Sequence, residues 1–205
     1  MAKRLRSGHQ GPALNRRRIQ LNLKDKIPLS FETERLLVRR YRISDEADLY
    51  RSARASIKEV FAFLPWCHPD YSREEARDWL AKIEAEWRDG SAYNFAIFSK
   101  NGETFHGGCG LDRVDEHPTA NLGYWIKTSS AGRGIAAEAS VGLARFGIER
   151  IGLQRLEIIM STNNPGSKRI AEKVGATFEG TLRNRLQLHG NLHDAYVYSI
   201  VPEDL

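Results

Sequence analysis

The stretch 129–139, SSAGRGIAAEA, is the most informative part of the sequence for predicting the fold. Residues 120–127 are predicted to form a strand before it, and the alanine-rich residues from about 135 to 150 a helix after it. Backbone N–H groups at a helix start, together with the positive end of the helix dipole, attract anions. Gly132 and Gly134 would let a phosphate approach the backbone, and Arg133 could add a charged contact. We therefore predict a phosphate-binding turn, with an ordinary tight turn as the alternative.

The segments on either side of this turn predict a mixed α/β domain. Periodicity, capping residues and turn signals place strands at 35–41, 93–98, 104–114, 120–127, 156–160, 178–188 and 194–201, and helices at 44–56, 72–90, 135–150 and 165–174. Asn101-Gly102 predicts a tight hairpin turn. The sequence shows no repeat and no linker after residue 30, so residues 31–205 are predicted to form one domain.

The composition limits the classes of protein to consider. The 205 residues are 41% hydrophobic and 28% charged, and no apolar run is long enough to span a membrane. The N-terminus lacks the apolar core of a secretory signal, so we expect a cytoplasmic protein. Cys67 and Cys109 are far apart and have no metal-binding spacing, so neither a disulfide nor a metal site is predicted.

The net charge of +5 is concentrated at the N-terminus, where the first 26 residues contain one acidic residue, Asp25, among eight basic ones. We expect residues 1–30 to form a basic, flexible extension. Clustered lysine and arginine could contact RNA or the ribosome by neutralising phosphates, and a solvated tail without a partner is the alternative.

The order of motifs around the glycine turn resembles that of the Gcn5-related N-acetyltransferases (GNAT), in particular the RimJ/RimL-type branch. Residues 131–136, AGRGIA, align with the family's Gln/Arg-x-x-Gly-x-Gly/Ala pyrophosphate motif, with alanine at its first position. Residues 34–39, ERLLVR, resemble the branch's opening strand, and residues 121–126, NLGYWI, its central strand. Residues 163–167, NNPGS, resemble the element beside the thioester, and 179–196 resemble the closing hairpin. The resemblance covers about residues 31–202.

This resemblance implies a GNAT fold: a mixed, mostly antiparallel sheet that is splayed in the middle and flanked by about four helices. It implies acetyl-CoA as co-substrate, no metal, and a monomer or homodimer that does not enter membranes. The implied cofactor contacts are Trp125, Ile126, Ala131, Gly132, Arg133, Gly134, Ile135, Ala136, Asn164 and Ser167. Phe63 and Trp66 are expected in the acceptor pocket, although they could equally form a hydrophobic loop over the core.

The resemblance places Ser167, Asn121 and Tyr124 at the catalytic positions. Ser167 would hydrogen-bond to the leaving thiolate and Asn164 to pantetheine; both could instead belong only to a helix cap. Backbone N–H groups near Trp125 and Ile126 would face the developing oxyanion. Relatives often carry a glutamate at the position of Asn121, and some carry one at the position of Leu186. Both of these carboxylates, which act as general bases in the family, are absent from this chain. The remaining candidates are Asp112, Tyr124, His106 and His189.

The missing glutamates favour an acceptor that loses its proton easily. A protein α-amino group has a pKa of about 7.7–8.0 and a lysine amine about 10.4. We therefore expect acetyl transfer to a protein N-terminus, of the ribosomal-protein type, by direct attack. A small amine, such as a polyamine, an aminoglycoside or an amino-acid-like metabolite, is the first alternative. A non-catalytic CoA-binding or nucleic-acid-associated module is the second.

Overall fold

The computed structural model describes residues 27–113 and 117–205. Its strands are β1 (Ser30–Glu32), β2 (Leu36–Arg40), β3 (Ala92–Ser99), β4 (Phe105–Arg113), β5 (Thr119–Ile126), β6 (Arg155–Ser161), β7 (Thr177–Leu188) and β8 (Asn191–Ile200). Its α-helices are α1 (Glu46–Arg54), α2 (Ile57–Val60), α3 (Arg73–Asp89), α4 (Ile135–Phe146) and α5 (Pro165–Lys173). The predictions made for residues 1–26 lie outside the described residues, so the basic extension stays a prediction.

All eight strands form one sheet, in the order β1-β2-β3-β4-β5-β6-β8-β7. Neighbouring strands are antiparallel except for β5 and β6, which are parallel. Residues 120–126 of β5 pair with β4 along their whole length, whereas only residues 119–121 pair with β6. From Leu122 onward the two central strands diverge, which confirms the predicted α/β fold with a splayed, mostly antiparallel sheet.

Helices cover both faces of the sheet. Helices α1 and α3 bury Leu49, Leu80 and Ile83 against one face. Helices α4 and α5 bury residues such as Leu143 and Ala171 against the other. Helix α3 begins at the predicted capping box, in which the Ser72 hydroxyl accepts from the Glu75 N–H and the Glu75 carboxylate accepts from the Ser72 N–H.

Three details differ from the sequence-based expectations. Strand β1 and the one-turn helix α2 were missed, because three to four residues are too short to show a period. Phe31 nonetheless anchors β1 by packing against Phe95 and Phe146, with ring centroids 5.5 and 5.4 Å away. At the hairpin turn only Gly102 has positive φ, rather than the two residues that a type I′ turn would need. None of the helices in the described ranges is long and apolar enough to cross a bilayer.

Candidate active site

Two cavities meet along β5 where the sheet opens. The larger one, here called the cleft, has a volume of about 630 Å³ and lies between β5, β6 and the first turns of α4 and α5. The smaller one, here called the aromatic cavity, has a volume of about 400 Å³ and is walled by β3, β4, β5 and residues 64–79. Both are lined by Leu64, Asn121, Gly123, Tyr124 and Trp125. Ligands in the two cavities would therefore meet at β5.

The predicted phosphate-binding turn lines part of the cleft. Its lining residues are Ala131, Gly132, Gly134, Ile135 and Ala136. Gly132 and Gly134 have φ values of 74° and 77°, and Gly134 is the N-cap of α4. A Cβ added to Gly132 would have no heavy atom within 4 Å apart from its chain neighbours. The positive φ of this residue, rather than a lack of space, therefore favours glycine at position 132. The turn thus has the open helix N-terminus that suits a pyrophosphate.

A hydrogen-bonded brace holds this turn from the side of β2. The Arg35 side chain donates to the Arg133 carbonyl at 3.1 Å and to the Glu138 carboxylate at 2.6 Å. Glu138 also accepts from the Thr33 hydroxyl at 2.5 Å and from the Arg35 backbone N–H at 2.9 Å. Desolvation opposes ionisation of Glu138, but these hydrogen bonds outweigh it and hold its pKa below the usual range. Sequence reasoning missed this brace, because its members are about 100 residues apart.

Tyr124 and Ser167 lie together where the two cavities join. Their hydroxyl oxygens are 2.8 Å apart and share a hydrogen bond. Burial raises the pKa of Tyr124 to about 12, although the hydrogen bond to Ser167 lowers it, so its hydroxyl stays protonated at neutral pH. Asn164 is the N-cap of α5, and its side-chain oxygen accepts from the Ser167 N–H at 3.0 Å. Asn164 and Ser167 also line the cleft, so the capping role and a cofactor contact are compatible.

The predicted oxyanion-binding strand borders the cleft. Trp125 and Ile126 both line it, within the part of β5 that has no partner in β6. Their backbone positions oppose Gly108 and Gly107 of β4. This edge of β5 therefore has no β6 partner where it borders the cleft, and the oxyanion-binding role of its backbone stays a prediction.

The four candidate bases fall in different places. His106 is buried, and its Nδ1 lies 2.8 Å from the Ser130 hydroxyl. Desolvation lowers the pKa of His106, and so do the positive charges of Lys127 and Arg133. His189 contacts the Phe61 carbonyl at 2.8 Å and packs near its ring. Neither histidine is among the residues that line the two cavities, whereas Asp112 lines the aromatic cavity and Tyr124 lines both.

Phe63 and Trp66, the two aromatic residues predicted for the acceptor pocket, line different cavities. Trp66 lines the aromatic cavity, where its ring packs edge-on against Tyr71 at 5.5 Å and Trp125 at 5.3 Å. Phe63 lines the cleft instead, as does Leu186 of β7. The loop after α2 therefore borders both cavities, and the acceptor-pocket role of both residues stays a prediction.

Most of the aromatic cavity was not foreseen from the sequence. Its unpredicted side chains are Tyr41, Leu49, His68, Tyr71, Glu75, Trp79 and Asn94. Glycines make room for them: a Cβ on Gly108 would lie 2.2 Å from the Tyr41 hydroxyl, and one on Gly110 would lie 2.4 Å from the Asn94 side-chain oxygen. The Gly-x-Gly spacing at 108–110 was the available signal, because alternate glycines in a strand leave one face open.

The remaining reactive groups do not form a metal site. Within residues 27–113 and 117–205, no cluster of three or more His, Cys, Asp or Glu could hold an ion. Cys67 and Cys109 are buried free thiols. Burial raises the pKa of Cys67 to about 11 and raises that of Cys109 as well, so neither thiol is a nucleophile at neutral pH.

Comparison with known proteins agrees with this architecture. The sequence model of the acetyltransferase (GNAT) domain matches residues 35–177. The chain is 28% identical to the uncharacterized N-acetyltransferase p20 of Bacillus licheniformis over 84% of this chain and 96% of that protein. It is 23% identical to the ribosomal-protein-serine acetyltransferase of Escherichia coli, over 77% of this chain and 94% of that protein. Its fold matches Mycobacterium smegmatis RimJ, solved in complex with CoA-disulfide, with a TM-score of 0.77, 24% identity and coverage of 83% of each chain.

A splayed sheet with a glycine turn at the start of the following helix defines a GNAT-fold acetyltransferase. The family match extends over more than half of the sequence, so this chain belongs to the GNAT acetyltransferase family. It is an N-acetyltransferase, and acetyl-CoA is its co-substrate. The cleft suits that co-substrate, because an open glycine turn and the Tyr124–Ser167 pair both line it.

Proposed function

We propose that this protein acetylates the α-amino group of a protein N-terminus, of the ribosomal-protein type. The observation that carries the proposal is the junction of the cleft and the aromatic cavity at Asn121 and Tyr124, with the Tyr124–Ser167 hydroxyl pair beside it. An amine in the aromatic cavity would meet an acetyl group in the cleft at this junction. The likeness to the Escherichia coli ribosomal-protein-serine acetyltransferase supports the acceptor class.

The residues at the junction suit direct transfer in a ternary complex. Bound acetyl-CoA supplies the activated acetyl thioester. The backbone of β5 at Trp125 and Ile126 would donate to the developing oxyanion, and the glycine turn would hold the pyrophosphate. One hydroxyl hydrogen of the Tyr124–Ser167 pair is used in their mutual bond, and the other is available to the leaving sulfur. Positioning by these groups would supply most of the rate.

The side chains around the junction favour an acceptor with a modest pKa. Asn121 lies at the junction and Leu186 lines the cleft, and neither side chain takes up a proton. An α-amino group, with a pKa of about 7.7–8.0, needs less help near neutral pH than a lysine amine at about 10.4.

A small amine is the second candidate acceptor. The aromatic cavity has a volume of about 400 Å³ and is walled by Trp66, Tyr71 and Trp79. Such a volume lies in the range of pockets that enclose small molecules. It would equally hold the first residues of a peptide.

An acceptor panel tests both candidates. The full-length protein and acetyl-CoA would be incubated with peptides that begin with Ser or Ala, with the same peptides N-terminally blocked but containing lysine, and with a polyamine and an aminoglycoside. Thiol release and product mass are measured. We expect acetylation of free N-termini only. Acetylation restricted to the small amines would reject the proposed acceptor, and binding of acetyl-CoA without any transfer would indicate a non-catalytic module.

A further inference from the structure

We propose that Asp112 receives the proton of the acceptor amine and so replaces the glutamate that is missing at Asn121. The inference rests on the proposed function and adds a catalytic residue to it. Asp112 and Asn121 are directly opposite each other in the β4–β5 ladder. Opposed residues on antiparallel strands project from the same face, with Cβ atoms about 4.5–5.5 Å apart. The aspartate therefore offers a carboxylate to the space that a glutamate at Asn121 would reach.

The lining of the aromatic cavity supports this placement, because it includes both Asp112 and Asn121. Gly110, two residues before Asp112 on the same face of β4, leaves room for the Asn94 side chain, which lines the same cavity. Asn121 also lines the cleft, so the cavity leads from Asp112 to the junction with the acetyl group. A proton could pass directly or through one ordered water.

Asp112 is the better base of the two carboxylates that line the cavity. The Glu75 carboxylate accepts from the His68 ring at 2.7 Å and from Ser72, and these bonds lower its pKa. Among the described residues, the structure gives Asp112 no hydrogen bond or salt bridge through its carboxylate. Desolvation by the surrounding protein and repulsion from Glu86 raise its pKa, which makes it a stronger base than an ordinary aspartate.

The charged and titratable groups near Asp112 come from several elements. On α3, Glu86 raises its pKa and Lys82 lowers it. The cavity also holds the Glu75–His68 pair. Burial raises the pKa of the hydroxyls of Tyr41, Tyr71 and Tyr124 and of the Cys109 thiol, so these groups stay protonated near neutral pH. Within the described part of the chain, Asp112 is thus the unpaired anion that the cavity offers to an ammonium group.

In the proposed step, the acceptor amine loses one proton to Asp112 and attacks the acetyl thioester. The Asp112 carboxylate takes one proton from the ammonium group, and the freed lone pair forms the N–C bond while the C–S bond breaks. The electron pair goes to sulfur, which the Tyr124–Ser167 pair hydrogen-bonds. A second amine proton ends on sulfur and the third stays on the amide nitrogen. Asp112 keeps an exposed surface, so it can return its proton to solvent.

The test compares Asp112→Asn with the double variant Asp112→Asn/Asn121→Glu in the full-length protein. A general base contributes about 10²–10⁴-fold, so we expect kcat/KM for an N-terminal peptide to fall about a hundredfold in the single variant. The acid limb of its pH profile should disappear. The double variant should regain at least about tenfold, because the new glutamate reaches the same space. Retention of kcat/KM within about twofold by Asp112→Asn, with an unchanged pH profile, would overturn the proposal.

A second variant keeps the test decisive if Asp112→Asn does not fold. Glu86→Gln removes the charge that raises the Asp112 pKa, so the acid limb of kcat/KM should move to lower pH while the maximal rate stays the same. An acid limb that does not move would count against Asp112. If the wild-type protein acetylates only small amines, the proposed acceptor fails, and the same variants are then measured with that amine.

Discussion

The cleft and the aromatic cavity share β5 but are built in opposite ways. Part of the cleft lining comes from a single short segment, residues 131–136, in which we expect the backbone to bind the co-substrate. The aromatic cavity takes its walls from side chains of α3, β3, β4 and the segment that precedes α3. A backbone site tolerates many side chains but only one local conformation, whereas a side-chain site can be changed one residue at a time. Co-substrate binding should therefore depend on conformation and acceptor choice on side chains.

Gly132→Ala should produce the largest effect on the cleft side. A residue with a Cβ in the left-handed region costs about 1–2 kcal/mol, and φ at Gly132 is 74°. The methyl group meets no protein atom within 4 Å, so strain in the turn is the dominant consequence. We expect KM for acetyl-CoA to rise about tenfold, the equivalent of about 1.4 kcal/mol, while KM for the acceptor stays the same. Steady-state kinetics with each substrate varied would show this.

Gly152→Ala is the matched control. Gly152 has φ of 83°, its added Cβ would also meet no protein atom within 4 Å, and it does not line the cleft. Both variants should lose similar stability in urea unfolding, but only Gly132→Ala should lose acetyl-CoA affinity. Equal losses of affinity would show that the turn conformation is not a specific requirement of the cleft.

Trp66→Ala should give the reverse pattern on the acceptor side. Trp66 lines the aromatic cavity and packs against Tyr71 and Trp125. A contact between the Trp66 ring and the acceptor would contribute about 0.5–1.5 kcal/mol, so we expect KM for the acceptor to rise about fivefold and KM for acetyl-CoA to stay within about twofold. Phe178→Ala, which removes another half-exposed aromatic side chain away from both cavities, should leave both KM values unchanged. A larger effect on acetyl-CoA than on the acceptor would contradict the division between the two cavities.

The same contrast explains what the sequence could predict. The glycine turn, its strand and its helix are contiguous, so local pattern and family resemblance were enough to locate them. The splay followed from the family resemblance and is seen in the short β5–β6 pairing. The aromatic cavity brings together positions as distant as Tyr41 and Asp112, and no local pattern encodes their meeting. Phe63 and Trp66, close neighbours in the sequence, line different cavities because the loop turns between them.

The brace around the glycine turn predicts the smallest effect. Glu138 accepts hydrogen bonds from Thr33 and Arg35 while Arg35 holds the Arg133 carbonyl. A hydrogen bond to a charged group contributes about 1.5–3 kcal/mol, and glutamine would keep part of this set. We therefore expect Glu138→Gln to raise KM for acetyl-CoA about threefold, with kcat and the acceptor KM unchanged. Steady-state kinetics with acetyl-CoA varied would measure this change.

Stability against pH separates this brace from a general loss of charge. The pKa of Glu138 is lowered in the folded protein, so its stabilising contribution is present above the unfolded value of about 4.3 and is lost as the pH falls through the folded value. Wild type should therefore unfold at a higher temperature than Glu138→Gln at about pH 7, and the difference should shrink toward about pH 3. Glu84→Gln, which removes an exposed carboxylate paired at 3.7 Å with Arg40, should change neither KM nor this pH dependence. If Glu84→Gln changed KM and the pH dependence as Glu138→Gln does, the loss of a negative charge rather than of the brace would explain both changes. The conformation of the glycine turn would then not depend on the hydrogen bonds between Glu138 and the residues before β2.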